Sequence, residues 1–219
     1  MRPATEQPSE PAAISDVPAL RYTNLFTVPL ATRVWDDGGE LNAALREHIL
    51  SHQAAHPGVG KSNQGGWHSE TGRLEFCGEA GRRLVGHMQA LAEEATRLVF
   101  AERGAQPPAL RWRLSAWANV NRSGDFNRVH VHPESTWSGT YYVDTGEPDG
   151  GERGAPLHLF DPCPGRSMTF FPMLAPSVFV HPRPGLMVLF PSYVPHMVFP
   201  HRGGGTRISI AFNLRADPA

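Results

Sequence analysis

The chain has 219 residues, 40 % of them hydrophobic and 19 % charged, which suits one globular domain with a full core better than two small ones. A formal net charge of -1 with no basic block argues against nucleic-acid binding. No apolar run approaches the roughly 20 residues needed to span a bilayer, so a membrane span is not expected either.

Residues 1–19 are rich in Pro, Ala and acidic side chains and lack the charged start and apolar centre of a signal peptide. They read as a disordered tail ahead of one domain over 20–219. Cys77 and Cys163 are too few for a disulfide framework, and without an export signal a cytoplasmic protein with reduced thiols is expected. The run 25–30 reads as a short strand. A helix follows over 37–52 with Leu41, Leu45 and Leu50 on one side, then a Gly-rich loop over 57–71 that contains Trp67 and His68. The spacing of Leu84, Met88, Leu91, Ala95 and Leu98 predicts a second helix over 79–103, ended by Gly104 and Pro107.

From Leu110 onward the helical period vanishes. Short apolar or alternating runs separated by Gly, Pro and Asp predict strands at 111–120, 127–132, 139–143, 157–160, 177–181, 186–190, 197–199 and 207–213. Helices first and strands second give an α+β chain, mainly β, in which a sandwich or jelly roll is braced by the N-terminal helices.

Chemistry concentrates in this second half. On an extended strand His130 and His132 point the same way, and Glu134 joins them only if the strand continues past Pro133. Iron(II) takes neutral imidazole nitrogens, usually with one carboxylate, and leaves open positions for further ligands. Two ligands at i and i+2 plus a third from a distant strand build such a face, and His196 follows a strand that ends in Phe190-Pro191. Eleven residues after His196 comes Arg207, with Ser209 on the same face. A guanidinium fork and a hydroxyl two residues on match a carboxylate, so the pair suggests an acidic small molecule. His158, His181 and His201 have no matching partners and read as structural.

These residues resemble the 2-oxoglutarate/Fe(II) oxygenases of the prolyl-hydroxylase-like, double-stranded β-helix superfamily. His196, Arg207 and Ser209 follow the superfamily spacing, and Gly124 lies six residues before His130 as in prolyl-hydroxylase-like enzymes. The runs Ser62-Asn63 through Ser69, Trp117 through Asn121, His130-Val131-His132-Pro133, Ser138 through Val143 and Gly185 through Asn213 extend the likeness over about Thr23 to Leu214.

The resemblance implies a double-stranded β-helix fold, Fe(II) as cofactor, 2-oxoglutarate and O2 as cosubstrates, and oxidation of an unactivated C–H bond, with hydroxylation as the default and desaturation or cyclisation as variants. It also implies that Arg207 and Ser209 hold the distal carboxylate of 2-oxoglutarate, with Asn121 and Tyr142 as further contacts. His132 stands where the superfamily has a carboxylate. The metal set is therefore open between His130, His132 and His196; His132, Glu134 and His196; and two histidines with an open position. The expected substrate is a small molecule, an amino acid or natural-product intermediate, and a homodimer is left open. Two rival readings are a cupin-like metal-binding protein and a 2-oxoglutarate-independent three-histidine dioxygenase; neither needs Arg207.

Overall fold

Along the long strands of the second half, apolar and polar residues alternate, and that alternation separates a helix-facing core from a polar inner surface. The structure is a computed structural model that describes residues 27–148, 155–163, 165 and 177–219. In chain order its elements are β1 (Ala31–Val34), α1 (Gly38–Ala55), β2 (Asn63–Gln64), β3 (Trp67–His68) and, after a short 3-10 turn at Glu75–Cys77, α2 (Gly78–Ala101). Then follow β4 (Leu110–Asn121), β5 (Phe126–His130), β6 (Trp137–Pro148), β7 (Leu157–Phe160), β8 (Ser177–Val180), β9 (Leu186–Pro191), β10 (His196–Val198) and β11 (Gly203–Pro218).

The strands form two antiparallel sheets, a larger one in the order β1-β9-β6-β11-β4-β3 and a smaller one in the order β2-β5-β10-β7-β8. This is the expected jelly roll. Both helices pack on the larger sheet. From β4 come Ala116, Ala118 and Val120, from β11 Ile208, Ile210, Phe212 and Leu214, from β6 Trp137 and Tyr141, and from β9 Met187 and Leu189. They meet Leu41, Leu45 and Ile49 of α1 and Leu84, Met88, Leu91 and Ala95 of α2. The buried indole of Trp137 donates to the Thr96 hydroxyl of α2 at 2.9 Å, which ties helix to sheet. The opposite face of the same strands carries Trp117 and Asn119, Ser138, Thr140 and Tyr142, and Arg207 and Ser209, and it looks across to the smaller sheet.

Several expectations are corrected. Residues 27–30 are not a strand; the first strand is Ala31–Val34, and Leu25 and Phe26 lie outside the described residues, as does the expected tail at 1–19. In α1 the buried position is Ile49 rather than Leu50, because the 3.6-residue period carries the stripe Leu41–Leu45 to position 49. Leu98 of α2 is half exposed, and Val99, four residues after Ala95, packs against the core instead. The Gly-rich loop contains two short strands, β2 and β3, one on each sheet, joined through Gly65 and Gly66 at positive φ. The strand expected over 127–132 stops at His130, and the last strand starts at Gly203 rather than Arg207.

Candidate metal centre

His130 ends β5 and His196 opens β10, and the two are register partners across the smaller sheet. Between His196 and Val198 the register shifts, so that the three residues of β10 oppose four of β5 from His130 back to Asn127. The bulge takes up the extra residue, and both Asn127 and His130 line the cavity between the sheets. His132 follows in the turn, its backbone N–H donating to the Ser192 carbonyl at 3.0 Å. Ser192 is itself held by a hydrogen bond from its hydroxyl to the Ser135 carbonyl. One ligand nitrogen from each of His130, His132 and His196 lies within 4.8 Å of the other two.

Two of the three tautomers are set by neighbouring carbonyls. The Nδ1 of His196 lies 2.9 Å from the Val194 carbonyl and the Nδ1 of His130 lies 2.6 Å from the Arg128 carbonyl. A carbonyl only accepts, so in a neutral ring each Nδ1 carries the proton and each Nε2 keeps its lone pair. Burial pushes His196 down to about 3 and His132 down to about 4, with the neighbouring rings adding to the effect, and burial lowers His130 as well. All three are neutral imidazoles at pH 7, the state in which a histidine ligates a metal.

Glu134 does not join the group. It is exposed, at φ 68° in the turn, and the three histidines are the cluster of metal-binding type among the described residues. The strand ends before Pro133, so the alternation that would have aligned Glu134 with His132 is broken.

Arg207 is 2 % exposed and pairs in register with Asn121 of β4. Its Nη1 donates to the Ser209 hydroxyl at 3.0 Å, while its Nε has no partner among the described residues. The guanidinium lies 5.4 Å from the Tyr142 ring centroid, and the buried Tyr142 hydroxyl also lacks a partner. Burial works against the charge on Arg207, and burial raises the Tyr142 phenol while the nearby guanidinium opposes that rise. A buried guanidinium without an anion is costly, and unfilled donors around it make a cradle for a carboxylate. Arg207, Ser209 and Tyr142 line the same cavity as the three histidines.

Asn121, expected in that cavity, is buried beside Gly66, and Asn119 lines the cavity instead. His201 is buried and hydrogen-bonds through its backbone to Gly124 and Asp125 of the β4–β5 turn. His158 stacks on Phe179. The sequence reading gave Trp117 no functional role, yet it lies between His68 and His132, with ring centroids at 5.5 and 5.9 Å. Its place at an inward position of β4, in register with Ala211, was the available signal.

Residues 115–213 match the family model described as "Putative 2OG-Fe(II) oxygenase", a segment that contains all three histidines, Arg207 and Ser209. A comparison with curated proteins returned no match. Among solved structures the chain is similar to a Pseudomonas putida prolyl-4-hydroxylase, with 18 % identity, a TM-score of 0.60, and 86 % of this chain and 93 % of that one covered. It is similar to a Trichoplax adhaerens prolyl hydroxylase in complex with a hypoxia inducible factor oxygen degradation domain peptide fragment, with 16 % identity, a TM-score of 0.60, and 85 % and 83 % covered. It is also similar to HygX from Streptomyces hygroscopicus with nickel and 2-oxoglutarate bound, with 12 % identity, a TM-score of 0.58, and 88 % and 84 % covered. At these identities the likeness establishes the jelly-roll fold.

Proposed function

With residues 115–213 a 2OG-Fe(II) oxygenase segment, we propose that this protein is an Fe(II)- and 2-oxoglutarate-dependent oxygenase that oxidises an unactivated C–H bond of a small molecule. The observation that carries the reading is the joint presence, in one cavity, of three neutral imidazoles and a buried, anion-ready Arg207.

His130, His132 and His196 hold the metal, and the Val194 and Arg128 carbonyls keep two of the rings turned with Nε2 free. Arg207 and Ser209 hold the distal carboxylate of 2-oxoglutarate, and the Tyr142 hydroxyl is placed to add a donor. Bound there, iron(II) with 2-oxoglutarate and O2 would supply the oxidising power for a substrate C–H bond, the oxo acid leaving as succinate and CO2. Phe190, Leu157 and Val198 add apolar surface to the cavity wall, and a less polar surrounding strengthens the arginine's hold on an anion. Hydroxylation is the default outcome; desaturation or ring closure needs the same side chains with a differently placed substrate.

A three-histidine set also suits a dioxygenase that uses no 2-oxoglutarate, but such an enzyme has no use for Arg207 in its cavity. The deciding experiment is anaerobic addition of Fe(II) and 2-oxoglutarate. The weak visible charge-transfer band of the pair is expected in wild type, with the 2-oxoglutarate requirement raised about 100-fold or more in Arg207→Ala. No band in wild type, or a band of unchanged affinity in Arg207→Ala, sinks the reading.

A further inference from the structure

Beside His130 and His132, which line it, a groove of about 630 Å³ opens between β4, β5 and the β2–β3 segment. The volume is in the range of small-molecule sites. Its lining is chemically one-sided. Trp117 and His68 form a stacked aromatic wall that continues to His132. Ser62, Thr71, Ser115 and Asn213 supply neutral polar groups, and the charged side chains are Lys61 and Arg128. No carboxylate lines the groove among the described residues, and neither cation forms an ion pair with another described residue.

The chain as a whole carries 20 basic and 21 acidic residues, and several of its other arginines, such as Arg33, Arg46 and Arg83, are paired with acids. Two unpaired cations facing one aromatic-walled groove beside the metal ligands are therefore a local departure from the chain's charge balance. Their placement is fixed by backbone pairing: the Arg128 N–H donates to the Ser62 carbonyl at 3.0 Å, and the Lys61 N–H donates to the Asn63 side chain at 2.7 Å. The β2–β5 pairing thus holds the two cation-bearing residues on neighbouring segments.

We infer that the substrate is a small anionic molecule, its acid group held by Lys61 and Arg128 and its apolar or aromatic part lying on Trp117. This inference rests on the oxygenase reading for what happens to the molecule, but not for its binding. A planar guanidinium and an ammonium together suit a carboxylate, sulfate or phosphate, and an indole face suits an apolar body.

The test uses Fe(II)-loaded protein under anaerobic conditions with 2-oxoglutarate saturating, so that Arg207 is not available to other acids. Calorimetric titration compares matched pairs: indole-3-propionate with its amide, and 3-phenylpropyl phosphate and 3-phenylpropyl sulfate with 3-phenylpropanol. At least one acid is expected to bind roughly tenfold or more tightly than its neutral partner, with the best acid identifying the anion class. In Lys61→Gln/Arg128→Gln that preference falls to within about twofold. In Lys61→Glu/Arg128→Glu, indole-3-propylamine becomes the tighter ligand. Both positions are exposed, so folding is not at stake.

If no acid binds below about 10 mM, or the acid preference survives in the Gln double variant, the inference is overturned. The charge-transfer band recorded in the same samples reports separately on the oxygenase reading. A band present with no acid preference rejects only the groove assignment, and an absent band with the acid preference intact rejects only the oxygenase chemistry.

Discussion

A carbonyl oxygen accepts and never donates, and that asymmetry does much of the work in this site. Val194 and Arg128 lend their carbonyls to the Nδ1 atoms of His196 and His130, leaving the Nε2 lone pairs for a metal. Neither partner's side chain matters for this, so no reading of residue types would have found them. His196 is the most buried of the three rings, whereas Glu134 is exposed in the turn beyond them. His196→Ala is therefore expected to abolish Fe(II) binding by equilibrium dialysis, while Glu134→Ala leaves it within about twofold of wild type. A large loss in Glu134→Ala would restore the shifted His132–Glu134 geometry. The thiols supply a simpler check. Burial pushes Cys77 up to about 12, and Cys163 is exposed, so one thiol is expected to react with a disulfide reagent in the native protein and two in denaturant.

Among the elements, β6 and β11 carry Tyr142, Arg207 and Ser209 because each strand presents its two faces to different partners. Such packing leaves little slack where strand and core meet. A Cβ on Gly139 would lie 2.3 Å from the Phe212 ring and 2.5 Å from the Val188 carbonyl. Gly139→Ala should cost about 1–3 kcal/mol of stability in urea unfolding, as overpacking does. Gly86 is the contrasting case: it is exposed within α2 and a methyl there meets nothing within 4 Å. Gly86→Ala should stabilise by about 0.5–1 kcal/mol in the same assay. Equal effects at the two glycines would contradict this account of the core. The bulge on β5 belongs to this scale as well, since it lets Asn127 and His130 line the same cavity, which simple alternation forbids.

At the scale of the whole molecule, the cost of burying three histidines beside one arginine is carried by a two-sheet fold with a large helix-facing core. The three rings have native pKa values depressed below the ordinary value of about 6.5, so the metal-free native state binds fewer protons than the unfolded chain at acid pH. Stability is therefore fully present above about pH 6.5 and is lost as the pH falls, until His132 takes up a proton near 4 and His196 near 3. Melting temperatures of the metal-free protein should fall across that window, and less so in His196→Gln; a flat profile from pH 7 to 5 would count against neutral buried rings. Fe(II) at about 100 times its Kd adds roughly 2.7 kcal/mol. In a chain of this size that raises Tm by about 5–10 °C, a gain expected to vanish in His196→Ala.

The order of helices and strands, the helix-facing stripes of α2 and β11 and the pairing of His196 with Arg207 and Ser209 were legible in the sequence, because each rests on local periodicity or on spacing along one strand and its turn. Strand ends were less so: Pro133 predicted a turn, but only the β5–β10 pairing decides that the strand stops at His130 and leaves Glu134 outside. Asn121 and Asn119 share a face of β4, and only the neighbours across the sheet decide that Asn119 reaches the cavity and Asn121 meets Gly66. The sequence by itself determined which chemistry is at hand, since imidazoles, a guanidinium and a hydroxyl are properties of residues. Tertiary structure alone decided which of them share a space, because the three histidines come together through hydrogen bonds between strands some 66 residues apart in register at His130 and His196.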